Sequence, residues 1–156
     1  MKKMFLILTL FVSSLIASND KQTLVIYYFG ATSCGWCNTP ECVSSINKLR
    51  NEFSEYHKEY VVKFVMVCMD NNIEEGLKFI SKYGYWDEIS IGSFYNNELV
   101  MNYLDKTSIP GVPHVIVFQD LYENERAPII KERKTIKDLV GAKQIKEWVD
   151  NKYLLE

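Results

Sequence analysis

The sequence predicts an α/β fold in which helices flank a central mixed β-sheet. Residues 23–29 are apolar at both odd and even positions, as in a strand that is covered on both faces. An amphipathic helical pattern separates this strand from a second strand-like run at 61–69, and two strands joined through a helix pair in parallel. Residues 114–119 and 128–133 predict a terminal hairpin, which adds antiparallel strands to the sheet.

The first two helices are predicted from apolar residues spaced three or four apart. On the first helix Val43, Ile46, Leu49 and Phe53 fall on one face, and Cys42 joins that face through the spacing 42, 46, 49, 53. Asn72 is the expected N-cap of the second helix, and Glu74 and Glu75 suit the positive end of its dipole. The expected buried stripe of the second helix consists of Ile73, Leu77 and Ile80. Gly84 is its predicted stop.

The stretch between the second helix and the hairpin is weakly patterned. We predict a short strand at 89–91, a short helix at 97–104 and a turn at 107–113. A last helix is predicted at 142–154. Its apolar face consists of Ile145, Trp148 and Val149.

Composition bounds the class of protein. The chain has 156 residues, of which 47% are hydrophobic, and a formal net charge of −2, which suits one globular domain and excludes a disordered chain. No part of the chain has a cluster of Lys and Arg that outnumbers the acidic residues nearby, so a nucleic-acid partner is disfavoured. The tyrosines, among them Tyr28 and Tyr83, are interpreted as core or rim aromatics.

Residues 1–18 have the layout of an export signal. Lys2 and Lys3 precede an apolar run at 4–12, and small residues follow at 13–18. The apolar run is shorter than the ~20 residues of a membrane-spanning helix. We therefore expect a signal peptide at 1–18 and one domain at 19–156, in a periplasmic or secreted protein with no stable membrane insertion after cleavage. An uncleaved anchor is the alternative.

The strongest chemical signal is Cys34-Gly35-Trp36-Cys37, which directly follows the first strand and is predicted to open the first helix. Unpaired backbone N–H groups at a helix N-terminus stabilise a thiolate. Two intervening residues let the second sulfur reach the first, so a mixed disulfide can be resolved internally. This spacing predicts Cys34 as the exposed nucleophile and Cys37 as the more buried resolving thiol. No cofactor is needed, because the two sulfurs carry the electrons.

In combination these segments resemble the thioredoxin superfamily over nearly the whole chain after residue 18. Residues 29–37 are similar to its active-site segment, 109–113 to its cis-proline loop, and 144–150 to its terminal helix. The resemblance implies a thioredoxin-like fold and a protein thiol–disulfide oxidoreductase. It also implies that the backbone of Val112 and a cis Pro113 bind the substrate peptide beside the reactive sulfur.

Two subgroups share features with the chain. The long stretch between Asp70 and the Gly-Val-Pro turn is similar to exported TlpA/ResA-type thiol–disulfide proteins, which implies a helical insertion before the cis-proline loop. The Gly35-Trp36 pair is instead similar to periplasmic disulfide isomerases. The implied partners are cysteine-containing protein substrates and a redox donor or acceptor protein, for which a membrane-bound protein is one candidate.

The chain also departs from cytoplasmic thioredoxins. Tyr28 stands where they carry a buried Asp, Ser33 where they carry Trp, and Met66 near the position of their buried Lys. The usual proton-transfer acid is therefore not identified. Glu41 and Asp70 are the nearest carboxylates in sequence, and neither is assigned that role.

The direction of electron flow stays open at this point. Potentials in this superfamily run from about −270 mV to about −120 mV, and a few hydrogen bonds to a thiolate decide between oxidant and reductant. Gly35, Trp36 and His114 are the predicted tuning residues, with Val112 also a candidate. His114 is either a neutral strand residue or a group near the sulfurs that stabilises a thiolate when protonated.

Other features leave alternatives. Cys42 and Cys68 either form a structural disulfide or pack as free thiols. Pro40 either kinks a helix that starts near Cys34, which the resemblance favours, or begins a new helix capped by Thr39. No metal site is predicted, because structural zinc sites usually have two Cys pairs or a Cys pair with a spaced His pair, whereas His57 and His114 are isolated singles. The rival to the enzyme is a redox-inert binding module that docks partners on its cis-proline face.

Overall fold

A computed structural model describes residues 22–123 and 129–155. The predicted export signal at 1–18 lies outside the described residues. Within the described ranges, none of the helices has the length and the apolar character that crossing a bilayer requires.

The described residues form a five-stranded mixed sheet, as predicted. Its strands are β1 (Thr23–Gly30), β2 (Val61–Cys68), β3 (Glu88–Ile91), β4 (His114–Tyr122) and β5 (Ile130–Val140). Their order across the sheet is β3-β2-β1-β4-β5. β1 pairs in parallel with β2, and β2 with β3, whereas β4 runs antiparallel to both β1 and β5.

The helices cover both faces of this sheet. They are α1 (Pro40–Tyr56), α2 (Ile73–Ile80), α3 (Glu98–Asn102) and α4 (Gly141–Asp150). Short 3₁₀ turns lie at Trp36–Asn38, Ser81–Tyr83 and Leu104–Lys106. α3 and the turn after it form the expected helical insertion before the cis-proline loop.

β1 is the central strand, and every one of its side chains is buried. Its alternate residues feed two cores on opposite faces. Tyr28 packs in the core that contains Ile46 of α1 and Trp148 of α4. Tyr27 packs in the core that contains Val100 of α3. Apolar residues at both odd and even positions therefore predicted this strand correctly.

α1 begins at Pro40, and Thr39 is its N-cap, since the Thr39 side chain accepts a hydrogen bond from the Cys42 N–H at 3.3 Å. The kinked helix that the resemblance favours is therefore wrong. Proline has no N–H to donate, so it fits the first position of a helix. The predicted apolar face of α1 is confirmed at Cys42, Ile46, Leu49 and Phe53, which are all buried, whereas Val43 is only half-buried.

The predicted buried stripe of α2 is partly wrong. Ile73 and Leu77 are 66% and 52% exposed, although Ile80 is buried. The helix buries Gly76 and Phe79 instead, because Gly76 lies against the end of β2. A Cβ on Gly76 would lie 2.9 Å from Ile91 Cγ2 and 3.2 Å from Cys68 Sγ, so a larger residue would force these side chains to shift.

The last elements differ from prediction in length. β4 continues to Tyr122 rather than ending at 119, and β5 spans Ile130–Val140 rather than 128–133. All side chains of β5 are exposed or half-buried, so this edge strand lacks a strong apolar alternation. α4 ends at Asp150 rather than 154, because Lys152 and Tyr153 have positive φ angles of 56° and 60°.

Candidate active site

Cys34 and Cys37 form a disulfide with a Cα–Cα separation of 5.3 Å. Cys34 is half-buried and Cys37 is completely buried. The backbone N–H of Cys37 donates a hydrogen bond to Cys34 Sγ at 3.0 Å. The two sulfurs therefore differ in access as the spacing predicted, and an N–H group faces the accessible one.

The two cysteines lie on their own turn between β1 and α1. The Cys34 N–H donates to the Ala31 carbonyl at 3.2 Å, and the 3₁₀ turn Trp36–Asn38 follows. The long helix starts only at Pro40. The expectation that the Cys pair opens that helix is therefore wrong, and the N–H group of the 3₁₀ turn faces the sulfur instead.

Two polar side chains that sequence reasoning did not assign hold this turn in place. Asp70 is buried and accepts hydrogen bonds from the Thr32 N–H at 2.9 Å and the Thr32 hydroxyl at 3.0 Å. Asn38 donates from its side-chain amide to the carbonyls of Thr32 and Cys34, at 2.9 and 2.7 Å. Asp70 follows β2, the parallel neighbour of β1, and this placement brings it to the loop that leads to Cys34.

The cis-proline loop faces the disulfide. The Val112–Pro113 peptide bond is cis, and the Val112 carbonyl oxygen lies 3.4 Å from Cys34 Sγ. The Pro113 carbonyl accepts a hydrogen bond from the Gly141 N–H at 2.8 Å, which ties the loop to the start of α4. The structure therefore brings Val112 and Pro113 to the sulfur of Cys34, and their role in binding substrate stays a prediction.

His114 is buried directly behind this loop. Its Nδ1 donates to the Gly111 carbonyl at 3.1 Å, since a carbonyl oxygen can only accept, and its Nε2 bonds the carboxylate of Asp138. These polar contacts join the loop to β5. Neither of these hydrogen bonds brings the His114 ring to a cysteine sulfur, so they do not support the alternative in which His114 lies near the sulfurs. A tuning role for His114 stays a prediction.

A groove of about 360 Å³ opens beside the disulfide. The residues that line it are Trp36, Thr39, Glu41, Val112, Pro113, Gly141, Ala142, Lys143 and Lys146. Trp36 is 71% exposed, so its indole offers apolar surface at the entrance. Gly35 has open space where a Cβ would be. The groove has the dimensions and apolar character to take the side chain of a bound peptide.

Cys42 and Cys68 are free thiols, and both are buried. The structural disulfide between them is therefore not formed. The Cys68 thiol donates to Asp70 Oδ2 at 2.9 Å, and burial together with this hydrogen bond raises the pKa of Cys68 to about 12. Burial also raises the pKa of Cys42. Both groups therefore stay protonated near neutral pH and are poor nucleophiles.

We expect the oxidised protein to show no reactive thiol when folded and two when unfolded. Ellman's reagent at pH 8, without and with guanidinium chloride, measures both numbers. The folded value follows from burial and the raised pKa values, and the unfolded value counts Cys42 and Cys68. A Cys42→Ser variant should show one thiol in denaturant. A count of zero in unfolded wild-type protein would contradict the free thiols.

Within the described residues, no group of three His, Cys, Asp or Glu side chains has the arrangement to hold a metal ion. Asp70 and Glu41, the carboxylates nearest to the cysteine pair in sequence, have contacts of their own. Asp70 is engaged with Thr32 and Cys68, and Glu41 lies on the groove.

Solved structures share this architecture. The thioredoxin domain of a thiol-disulfide oxidoreductase from Bacteroides vulgatus is similar, with a TM-score of 0.51 and 19% identity over 84% of this chain and 79% of that chain. The C-terminal domain of a protein assigned as a thiol-disulfide oxidoreductase from Bacteroides thetaiotaomicron gives 0.50 and 18%, over 88% and 81%. No protein-family model and no curated protein sequence matches the chain. The chain has a thioredoxin-like fold, which confirms the predicted architecture.

Proposed function

We propose that the chain is an exported protein thiol–disulfide oxidoreductase that exchanges disulfides with cysteine-containing proteins. One observation carries the proposal. A half-buried Cys34 is paired with a buried Cys37, directly beside a cis Val112–Pro113 peptide and an open groove. A structural disulfide has no need of an accessible sulfur, a facing N–H group or a groove.

The reaction needs only the two sulfurs and the substrate. In the reducing direction, the Cys34 thiolate attacks a substrate disulfide, whose S–S bond breaks as a bond from Cys34 to the substrate forms. The departing substrate thiolate takes a proton from solvent. Cys37 then gives its proton to solvent, its thiolate attacks Cys34 Sγ, the bond from Cys34 to the substrate breaks, and the second substrate sulfur leaves as a thiolate that takes up a proton. Two electrons pass from the dithiol to the substrate, and oxidation of a substrate is the reverse.

The groove and the cis-proline loop support a protein substrate. The Val112 backbone lies beside Cys34 Sγ and can pair with an extended peptide, which would place a substrate sulfur in line with Cys34. Trp36 and Ala142 offer apolar contact on the groove. Export rests on residues 1–18 and suits a disulfide-forming compartment. A redox partner protein completes the cycle by restoring the starting form of the cysteine pair.

Insulin reduction by dithiothreitol tests the activity. We expect the wild-type protein to accelerate the precipitation of insulin chains and Cys34→Ala to abolish the acceleration, while Ser33→Ala, an exposed neighbour, retains it. An inactive wild-type protein whose Cys34→Ala variant still binds its partners would instead identify a redox-inert docking module. Titration of the Cys34/Cys37 couple in glutathione buffers then gives the direction of electron flow. A reduction potential of about −120 mV indicates an oxidant, and one of about −270 mV indicates a reductant.

A further inference from the structure

Two buried tyrosine hydroxyls lie beneath Cys37. Tyr28 comes from β1, and Tyr83 from the 3₁₀ turn after α2; they are 0% and 1% exposed. Their hydroxyl oxygens are 3.1 Å apart, and the Tyr83 hydroxyl donates to the Cys37 carbonyl at 3.0 Å. Tyr28 also lies 3.8 Å from the Sγ of Cys42.

The chemistry of the groups fixes the direction of these hydrogen bonds. A carbonyl oxygen can only accept, so the single hydroxyl hydrogen of Tyr83 goes to Cys37. Tyr28 must then donate to the Tyr83 oxygen, and the Cys42 thiol donates to Tyr28. The result is one directed chain from Cys42 through both tyrosines to the active-site turn.

The two tyrosine hydroxyls hold the backbone of Cys37 in position and do not act as proton acceptors. Burial raises the pKa of both Tyr28 and Tyr83 above the ordinary value for tyrosine. Both therefore keep their hydrogens near neutral pH and cannot act as the base that takes the proton of Cys37.

Cys37 makes hydrogen bonds through both of its backbone polar groups, one with Tyr83 and one with Cys34. The Cys37 carbonyl is held by Tyr83, and the Cys37 N–H donates to Cys34 Sγ at 3.0 Å. A hydrogen bond to a thiolate favours the charged form, so an N–H held in this position would stabilise the thiolate of Cys34 once the disulfide is reduced. The orientation of Cys37 therefore affects the energy of the reduced state.

We propose that the Tyr28–Tyr83 hydroxyl pair positions Cys37 so that its N–H faces Cys34, and thereby sets how readily the Cys34–Cys37 pair is reduced. This inference rests on the proposed function for its biological meaning. The chain thus uses two neutral hydroxyls to hold the turn of the resolving cysteine. Tyr83 is the positioning residue in direct contact, and Tyr28 orients it.

Tyr83→Phe tests the proposal while it preserves the ring, which packs edge-to-face against Tyr28, Phe79 and Trp86. We expect the pKa of the Cys34 thiol to rise, measured by thiolate absorbance at 240 nm against pH. We also expect the equilibrium with glutathione to shift about fivefold toward the disulfide, the effect of one hydrogen bond. Tyr28→Phe should shift both quantities in the same direction by less.

Tyr85→Phe is the matched control, because Tyr85 is 73% exposed, and it should change neither quantity. If Tyr83→Phe folds, as judged by a wild-type circular dichroism spectrum, but leaves the Cys34 titration unchanged, the proposal is overturned. If that variant does not fold, the Tyr28→Phe titration decides by the same criterion. Both readouts need only the dithiol, so a wild-type protein inactive toward insulin would reject the proposed function and leave this result standing.

Discussion

The Cys37→Ser variant is expected to stop at a covalent complex with its substrate. In the proposed reaction Cys34 forms the mixed disulfide, and Cys37 is the group placed to resolve it, with a Cα only 5.3 Å away. Loss of an intramolecular attack forces resolution by an outside thiol, so turnover should fall at least about 100-fold. Non-reducing gel electrophoresis and mass spectrometry of the Cys34–substrate adduct measure the trapped species.

The double variant Cys34→Ser/Cys37→Ser separates this chemistry from docking and from the buried thiols. It retains Cys42 and Cys68, which are buried and protonated, so it should form no covalent complex. An adduct of equal yield in the double variant would assign the attack to one of those thiols and contradict Cys34 as the nucleophile. A complex that survives reducing conditions would indicate docking without exchange.

The position of the cysteine pair and of the cis-proline loop could be predicted because their signals are local in sequence. Two cysteines with two residues between them lie directly after a buried strand, and a Gly-Val-Pro segment precedes the next central strand. The sheet topology then brings Val112 within 3.4 Å of Cys34, although 78 residues separate them. The supporting residues lack such signals. Tyr83 resembles any core aromatic until the fold places its hydroxyl on the Cys37 carbonyl.

The errors in the fold arise because the local apolar pattern of an element does not report which neighbours pack against it. α2 exposes Ile73 and Leu77 because Gly76 is the residue that fits against Cys68. β5 was predicted too short because its charged residues suit an exposed edge strand rather than an alternating core strand. The prediction of β1 was correct because the strand is buried on both faces, and apolar residues at both odd and even positions indicate such burial.

The largest effect on stability is expected from Arg133→Met. Asp120 of β4 is 0% exposed, and its carboxylate accepts hydrogen bonds from Nε and Nη2 of Arg133 at 2.7 and 2.6 Å. The two residues are register partners on adjacent strands. The guanidinium also lies 4.9 Å from the ring centre of Phe118. Removal of the cation leaves a buried carboxylate without its partner, which costs about 3–5 kcal/mol of unfolding free energy. Urea unfolding monitored by circular dichroism measures the loss.

The double variant Asp120→Leu/Arg133→Met distinguishes an unpaired charge from lost packing. If the cost arises from the carboxylate left behind, its removal should restore most of the stability, because well-packed apolar residues often replace a buried ion pair without loss. Lys134→Met, an exposed residue on the same strand, should change the unfolding free energy by no more than about 0.5 kcal/mol. An Arg133→Met variant no less stable than Lys134→Met would show that the carboxylate of Asp120 does not depend on Arg133. A double variant as unstable as Arg133→Met would assign the effect to the contacts of the guanidinium with the aromatic rings.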